Sequence, residues 1–307
     1  MVRNAGDSTF NLPLQDAIFC SRIQGSFGLV DSVEIRRALS ARGMQTFHRL
    51  CDLLGGPMYE LFGVGSHRYE LEQFFGLSSS RSREVAWSTA ALCCKNWNQR
   101  RFLKRFGLHS VSDLVDWVRP PEELLRWREQ QKPVLLVGWH AGVPYGAAGG
   151  LLKKELETLF CVGPQPPFTV PPGLVFVTTD GSDQNRAEAL HTTLGHLNRG
   201  GMVYLVADHP VFSTRRVAMW NREISMAPSL GMLARISGAI TVPMVSRWSS
   251  LGRIKLEHGE GLVFSDENAL YRELGAWFEK YFREHPEDLE PKFLMKLAFS
   301  PKVKEQS

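Results

Sequence analysis

The segment PVLLVGWHAGVPYG, Pro133 to Gly146, decides how the rest of the chain is read. Val134 to Val137 is an unbroken apolar run, the texture of a strand covered on both faces. It ends in Gly138, an aromatic and a histidine, Trp139 and His140, and then enters a small-residue stretch. That order places one titratable imidazole at the mouth of a buried strand, where a general base would stand beside a pocket. Gly138 and Gly142 flank it, and glycine lets a ligand approach the backbone closely.

Working outward, the same texture recurs at Leu174 to Thr178, Met202 to Ala207 and Ile240 to Val245, with a weaker strand at Ile254 to Glu257. Helical stretches lie between and after them, at Arg186 to Leu197, Ser225 to Ile236 and Asn268 to His285. Strands alternating with helices predict an α/β fold, a central and mostly parallel sheet flanked by helices. Residues 1–132 read instead as a helical N-terminal region packed on a 133–307 core, the two making one domain. Within it, Val33 to Leu54 has helical apolar spacing, with Gly55-Gly56-Pro57 as its stop. Ser78-Ser79-Ser80 precedes a helix from Arg81 to Phe106, and Ser110-Val111-Ser112 caps a short third helix. Pro120-Pro121-Glu122 begins a fourth, proline being well tolerated in the first turn.

Composition excludes several classes. A net charge of +4 over 307 residues is too weak to argue for nucleic acid, and suits an acidic carrier protein or an anionic membrane surface as well as plain solvation. The five cysteines form no C-x-x-C pair and leave one over, which argues against a disulfide framework and for a reducing cytoplasm. Met1 to Leu12 carries no apolar signal core. Pro133 to Leu152 and Thr158 to Thr179 are uncharged and long, but their glycines and prolines suit strands and turns rather than lipid-facing helices. No His/Cys cluster has zinc spacing, His191 and His196 are five apart and off one helical face, and neither a P-loop nor a Rossmann fingerprint is present. No metal and no cofactor is expected.

The stretch Leu233 to Pro243, LARISGAITVP, resembles a segment of the lipid A secondary acyltransferases, within the lysophospholipid acyltransferase superfamily. Leu194 to Asp208 is similar to that family's run into an apolar strand and an aspartate. Phe74-Phe75-Gly76 and His285-Pro286-Glu287 resemble its entry and closing segments, so that the likeness spans roughly residues 50 to 290. The family's His-x4-Asp/Glu motif corresponds to His140 through Tyr145, with histidine and Gly142 kept and tyrosine where the acid stands. The chain departs elsewhere too: Trp220-Asn221-Arg222 replaces an aromatic-aromatic-glycine, the Trp-rich double-arginine ending is replaced by Leu289 to Leu297, and the N-terminal membrane helix is missing.

The resemblance implies an acyltransferase. An acyl thioester on acyl carrier protein or coenzyme A would be the donor, and a hydroxyl or amine of a small molecule or lipid the acceptor. His140 would be the base and Tyr145 its neutral partner; by analogy with triads that lose their acid, that substitution costs up to ~10⁴ in rate. Asp208, at another strand's carboxyl end, is the second polar group of the cleft, and becomes the alternative orienter of His140 if the two strand ends are neighbours. N–H groups near Ala141 and Gly142 are candidates for an oxyanion hole. Trp139, Gly142, Arg186, Arg215 and Arg216 are the substrate-binding candidates, the last two as a grip on a phosphate of coenzyme A or phosphopantetheine; a solvated arginine pair is the alternative. Arg199 competes with Arg186. Arg100, Arg101, Lys104 and Arg105 form a basic helical face, either a docking site for an acidic carrier protein or simply solvated. The chain is expected in the cytoplasm, with peripheral contact to the inner membrane allowed. Two other readings stay open: a non-catalytic descendant that binds acyl groups or their carrier, and a thioester hydrolase or condensing enzyme on the same scaffold.

Overall fold

The computed structural model describes residues 41–62, 65–162, 166–178, 183–208, 215–249 and 252–289. Four helices open it: α1 (Ala41–Phe62), α2 (Gly65–Phe75), α3 (Ser79–Phe106) and the single turn α4 (His109–Ser112). There follow β1 (Val115–Trp117), α5 (Glu122–Glu129), β2 (Val134–Gly138), α6 (Gly146–Lys153), β3 (Thr158–Val162), β4 (Leu174–Thr178), α7 (Asp183–Asn198) and β5 (Met202–Val206). A hairpin, β6 (Arg215–Met219) and β7 (Arg222–Met226), leads to α8 (Ser229–Ser237), β8 (Ile240–Trp248), β9 (Ile254–His258), α9 (Glu267–Glu284) and a 3₁₀ turn at Pro286–Asp288.

The central sheet has seven strands in the order β1-β9-β8-β2-β5-β3-β4. Every neighbouring pair is parallel except β8 and β9, which are antiparallel. The α/β architecture expected from the alternating pattern is therefore present. Side chains alternate across a strand, so the two faces build separate cores. On one face Leu135, Val137, Val203 and Leu205 share a buried cluster with Leu233 of α8 and Phe278 of α9. On the other, Leu136, Met202 and Met244 join Leu124 of α5 and Leu151 of α6. This is why β2 reads as a continuous hydrophobic run: all five of its residues are buried.

The structure departs from the expected elements in four places. The first helix does not stop at Gly55-Gly56-Pro57 but runs through it to Phe62. The glycines are packing residues: a Cβ at Gly55 would meet the carbonyl oxygen of Trp87, and one at Gly56 the Trp87 ring. Close approach of α1 and α3 outweighs the helix-breaking tendency. The Val33 end of that expected helix lies outside the described residues. Ser110-Val111-Ser112 does not cap a helix; it makes up most of α4, which has no side-chain cap. Ser225 and Met226 belong to β7, and α8 starts only at Ser229, because the hairpin strand is paired along its full length. Strands β1 and β6 fall where no strand is expected, while β3 opens the Thr158 to Thr179 stretch read as strands and turns. The helix expected after Ser78-Ser79-Ser80 is present but starts at Ser79, with Ser78 as its cap, the hydroxyl accepting from Arg81 N–H.

Candidate active site

His140 and Asp208 meet because of strand register. In the parallel pair β2–β5, Gly138 lies opposite Val206. Ala207 N–H donates to the Gly138 carbonyl at 2.9 Å, carrying the register past the ladder. Two residues beyond Gly138 is His140, and two beyond Val206 is Asp208. Asp208 Oδ1 accepts the His140 main-chain N–H at 2.9 Å and lies 3.0 Å from His140 Nδ1. The carboxylate is buried while the imidazole side chain is about half exposed. With Nδ1–H donated to the Asp208 carboxylate, the neutral ring carries its lone pair on Nε2, and the carboxylate fixes both tautomer and ring orientation.

The loop after β2 is tied at every step. Ala141 N–H donates to Trp139 O and Gly142 N–H to Asp288 O, both at 2.8 Å, and Val143 N–H donates to Ser246 O at 2.9 Å. The carbonyls are bound as well: Asn96 Nδ2 donates to Gly142 O at 2.6 Å, Gln99 Nε2 to Pro144 O at 2.7 Å, and Ser246 Oγ to Val143 O at 2.8 Å. Asn96 is itself fixed, its Oδ1 accepting from Trp248 Nε1 at 3.0 Å. Gly142 has φ +62°, and a Cβ there would run into the Ser246 carbonyl, so only glycine fits. The oxyanion donors expected near Ala141 and Gly142 are thus already spent on protein carbonyls.

Tyr145 is also in the left-handed region, φ +58°, at the start of α6. Its ring packs edge-on to Phe168, centroids 5.1 Å apart, and burial raises its phenol pKa against the opposing effect of Arg100. The ring nitrogen that the motif would have assigned to position 145 is held by Asp208 instead. Trp139 is not at the surface around His140: it is 3% exposed, and its ring packs against Phe278 and Phe282.

The arginines have local partners. Arg216 pairs with Glu223 across the hairpin at 2.8 Å. Arg215 bonds Asn268 Oδ1 and sits over the Tyr271 ring at 5.8 Å. The hairpin's open end still adjoins the site, since Ala227 N–H donates to Ala207 O at 2.8 Å. Arg186 is on α7, and its side chain is outside the description. Arg100, Arg101, Lys104 and Arg105 are exposed on the last turns of α3, with Arg101 stacked on Trp97 at 3.9 Å.

Sequence reasoning missed the anchoring set of Asn96, Gln99, Ser246, Tyr281 and Asp288. Asn96 and Gln99 are three apart, so they share a face of α3, a periodicity available in principle. Asp288 is buried, accepts from Tyr281 Oη at 2.9 Å, and burial pushes its pKa up to about 7. Among the described residues no group of three or more His, Cys, Asp or Glu could hold a metal ion, and none of the described helices is long and apolar enough to cross a membrane.

No family model and no curated protein matches the chain. Among solved structures it is similar to the 1-acyl-sn-glycerophosphate (LPA) acyltransferase PlsC of Thermotoga maritima. The identity is 14% and the TM-score 0.37, over 80% of this chain and 98% of that one.

Proposed function

We propose that this chain transfers an acyl group from a thioester, on acyl carrier protein or coenzyme A, to a hydroxyl or amine of a small molecule or lipid. The observation that carries the reading is the His140–Asp208 pair at the carboxyl ends of adjacent strands. It restores, from another strand, the carboxylate that position 145 lacks. Ligands of open α/β sheets bind at such strand ends.

In this reading His140 Nε2 takes the proton of the acceptor O–H or N–H as its heteroatom attacks the thioester carbonyl carbon. The carbonyl π electrons move to oxygen, giving a tetrahedral oxyanion. Its collapse re-forms the carbonyl and expels the thiolate, which takes the proton back from His140. The products are an ester or amide and a free thiol. Asp208 stabilises the transient imidazolium and holds the ring, the usual division between base and orienter. Tyr145 then has no acid–base role, and a non-catalytic descendant loses its main support.

Mass spectrometry with a panel of acyl carrier proteins and acyl-coenzyme A donors tests the proposal. Loss of thioester with acyl gain on an added alcohol or amine is the expected result, abolished in His140→Ala. Loss of acyl to water alone contradicts transfer and favours hydrolysis. Intact thioester throughout contradicts both.

A further inference from the structure

The loop that carries His140 offers no open main-chain donor between residues 140 and 143. The four N–H groups go to Asp208, Trp139, Asp288 and Ser246, and Pro144 has none. An oxyanion forming beside His140 therefore needs a donor from elsewhere. One side chain reaches the strand end that leads into His140. Tyr204, on β5 and four residues before Asp208, passes over the end of β2: a Cβ at Gly138 would overlap the Tyr204 hydroxyl oxygen. The glycine before Trp139 and His140 is thus the residue that makes room for this phenol. The ring packs at a tilt against Phe160, centroids 5.0 Å apart, and Phe160 stacks in turn on Phe176. Tyr204 is partly buried, and among the described residues none is hydrogen-bonded to its hydroxyl.

We propose that Tyr204 is a further catalytic residue, its O–H donating a hydrogen bond to the thioester carbonyl oxygen as that oxygen becomes an oxyanion. This rests on the acyl-transfer reading above. The proton stays on Tyr204 throughout: burial, reinforced by the nearby Asp208 carboxylate, raises the phenol pKa well above its ordinary value. The phenol acts as a fixed dipole. It neither gains nor loses a proton, so the balance of the transfer step is unchanged. Preorganised donors aimed at a developing charge act mainly on the transition state, so their removal lowers kcat more than it raises KM.

The test is steady-state kinetics of Tyr204→Phe in the full chain, on whichever donor and acceptor the wild type turns over, with thermal unfolding measured alongside. Expected is a fall in kcat of about 10²-fold or more with KM nearly unchanged and the melting temperature close to wild type. A wild-type kcat, or a loss carried by KM, overturns the assignment while leaving the acyl-transfer reading intact. No thioester turnover by the wild type overturns both. If Tyr204→Phe does not fold, a trifluorotyrosine at position 204 replaces it, nearly isosteric and more acidic. Expected is a new loss of kcat at high pH as that phenol ionises; an unaltered pH profile overturns the proposal.

Discussion

The loop from His140 to Tyr145 and the β6–β7 hairpin both stand at the carboxyl end of the sheet, yet they are stabilised in opposite ways. The hairpin is built from its own neighbours. Trp220 and Asn221, at φ +50° and +57°, form the two-residue turn that matches strand twist, and Arg216 finds Glu223 on the facing strand. The His140 loop is held by residues 45 to 146 positions away in sequence, from α3, β8 and the 3₁₀ turn at 286–288. Local pairing gives an element that tolerates change. Convergence of distant groups on one loop gives a fixed imidazole, the condition for acid–base chemistry at a defined atom.

The comparison breaks most sharply at Asp208. Asp208→Asn keeps an oxygen for the main-chain N–H of His140 but removes the charge that supports the imidazolium. Turnover should fall by roughly 10³- to 10⁴-fold, whereas Tyr145→Phe should change it little. Equal losses in the two variants, measured as kcat on a common thioester, would return the motif tyrosine to the mechanism.

Asn96→Ala comes next. It strands the Gly142 carbonyl and the Trp248 indole N–H in a buried setting, and should cost about 1–3 kcal/mol in chemical denaturation. It should lower turnover too, since the loop loses a tether.

Asp288 sharpens the contrast through pH. Its folded pKa of about 7 is above the ordinary 3.8, raised by burial and by Glu287 and opposed by Tyr281, His285 and Arg247. Between about pH 4 and 7 the unfolded chain releases this proton while the folded chain keeps it. Stability from this group is therefore greatest below pH 4 and declines as pH rises to 7. Asp288→Asn should flatten that decline in melting curves taken across the window; a parallel decline in the variant would assign it to other groups.

Arg216→Ala should be smallest, within about 0–1 kcal/mol, because its ion pair is exposed and local. A larger loss of stability would mean that the hairpin is not the independent element described.

Much of this was legible in the sequence. The apolar runs of β2, β4, β5 and β8 announced a buried parallel sheet, and His140 and Asp208 each stood just after such a run. What could not be read was their register. A parallel ladder leaves no local mark on either strand, so whether residue 140 faces 208 depends on pairing across 68 positions. β1 has only three residues and β6 begins with two arginines, too little apolar pattern to announce a strand. Gly55-Gly56-Pro57 misled because the reasons for those glycines sit on another helix, at Trp87. The anchors of the His140 loop were hidden similarly: Asn96 reads as an ordinary helix polar residue until the Gly142 carbonyl is seen 2.6 Å away.

The most direct test of the His140–Asp208 pair is ¹⁵N NMR of the neutral His140 imidazole in wild type, Asp208→Asn and Tyr145→Phe. The structure predicts the Nδ1–H tautomer in wild type and in Tyr145→Phe, and loss of that preference in Asp208→Asn. A tautomer indifferent to Asp208 and changed by Tyr145→Phe would contradict it.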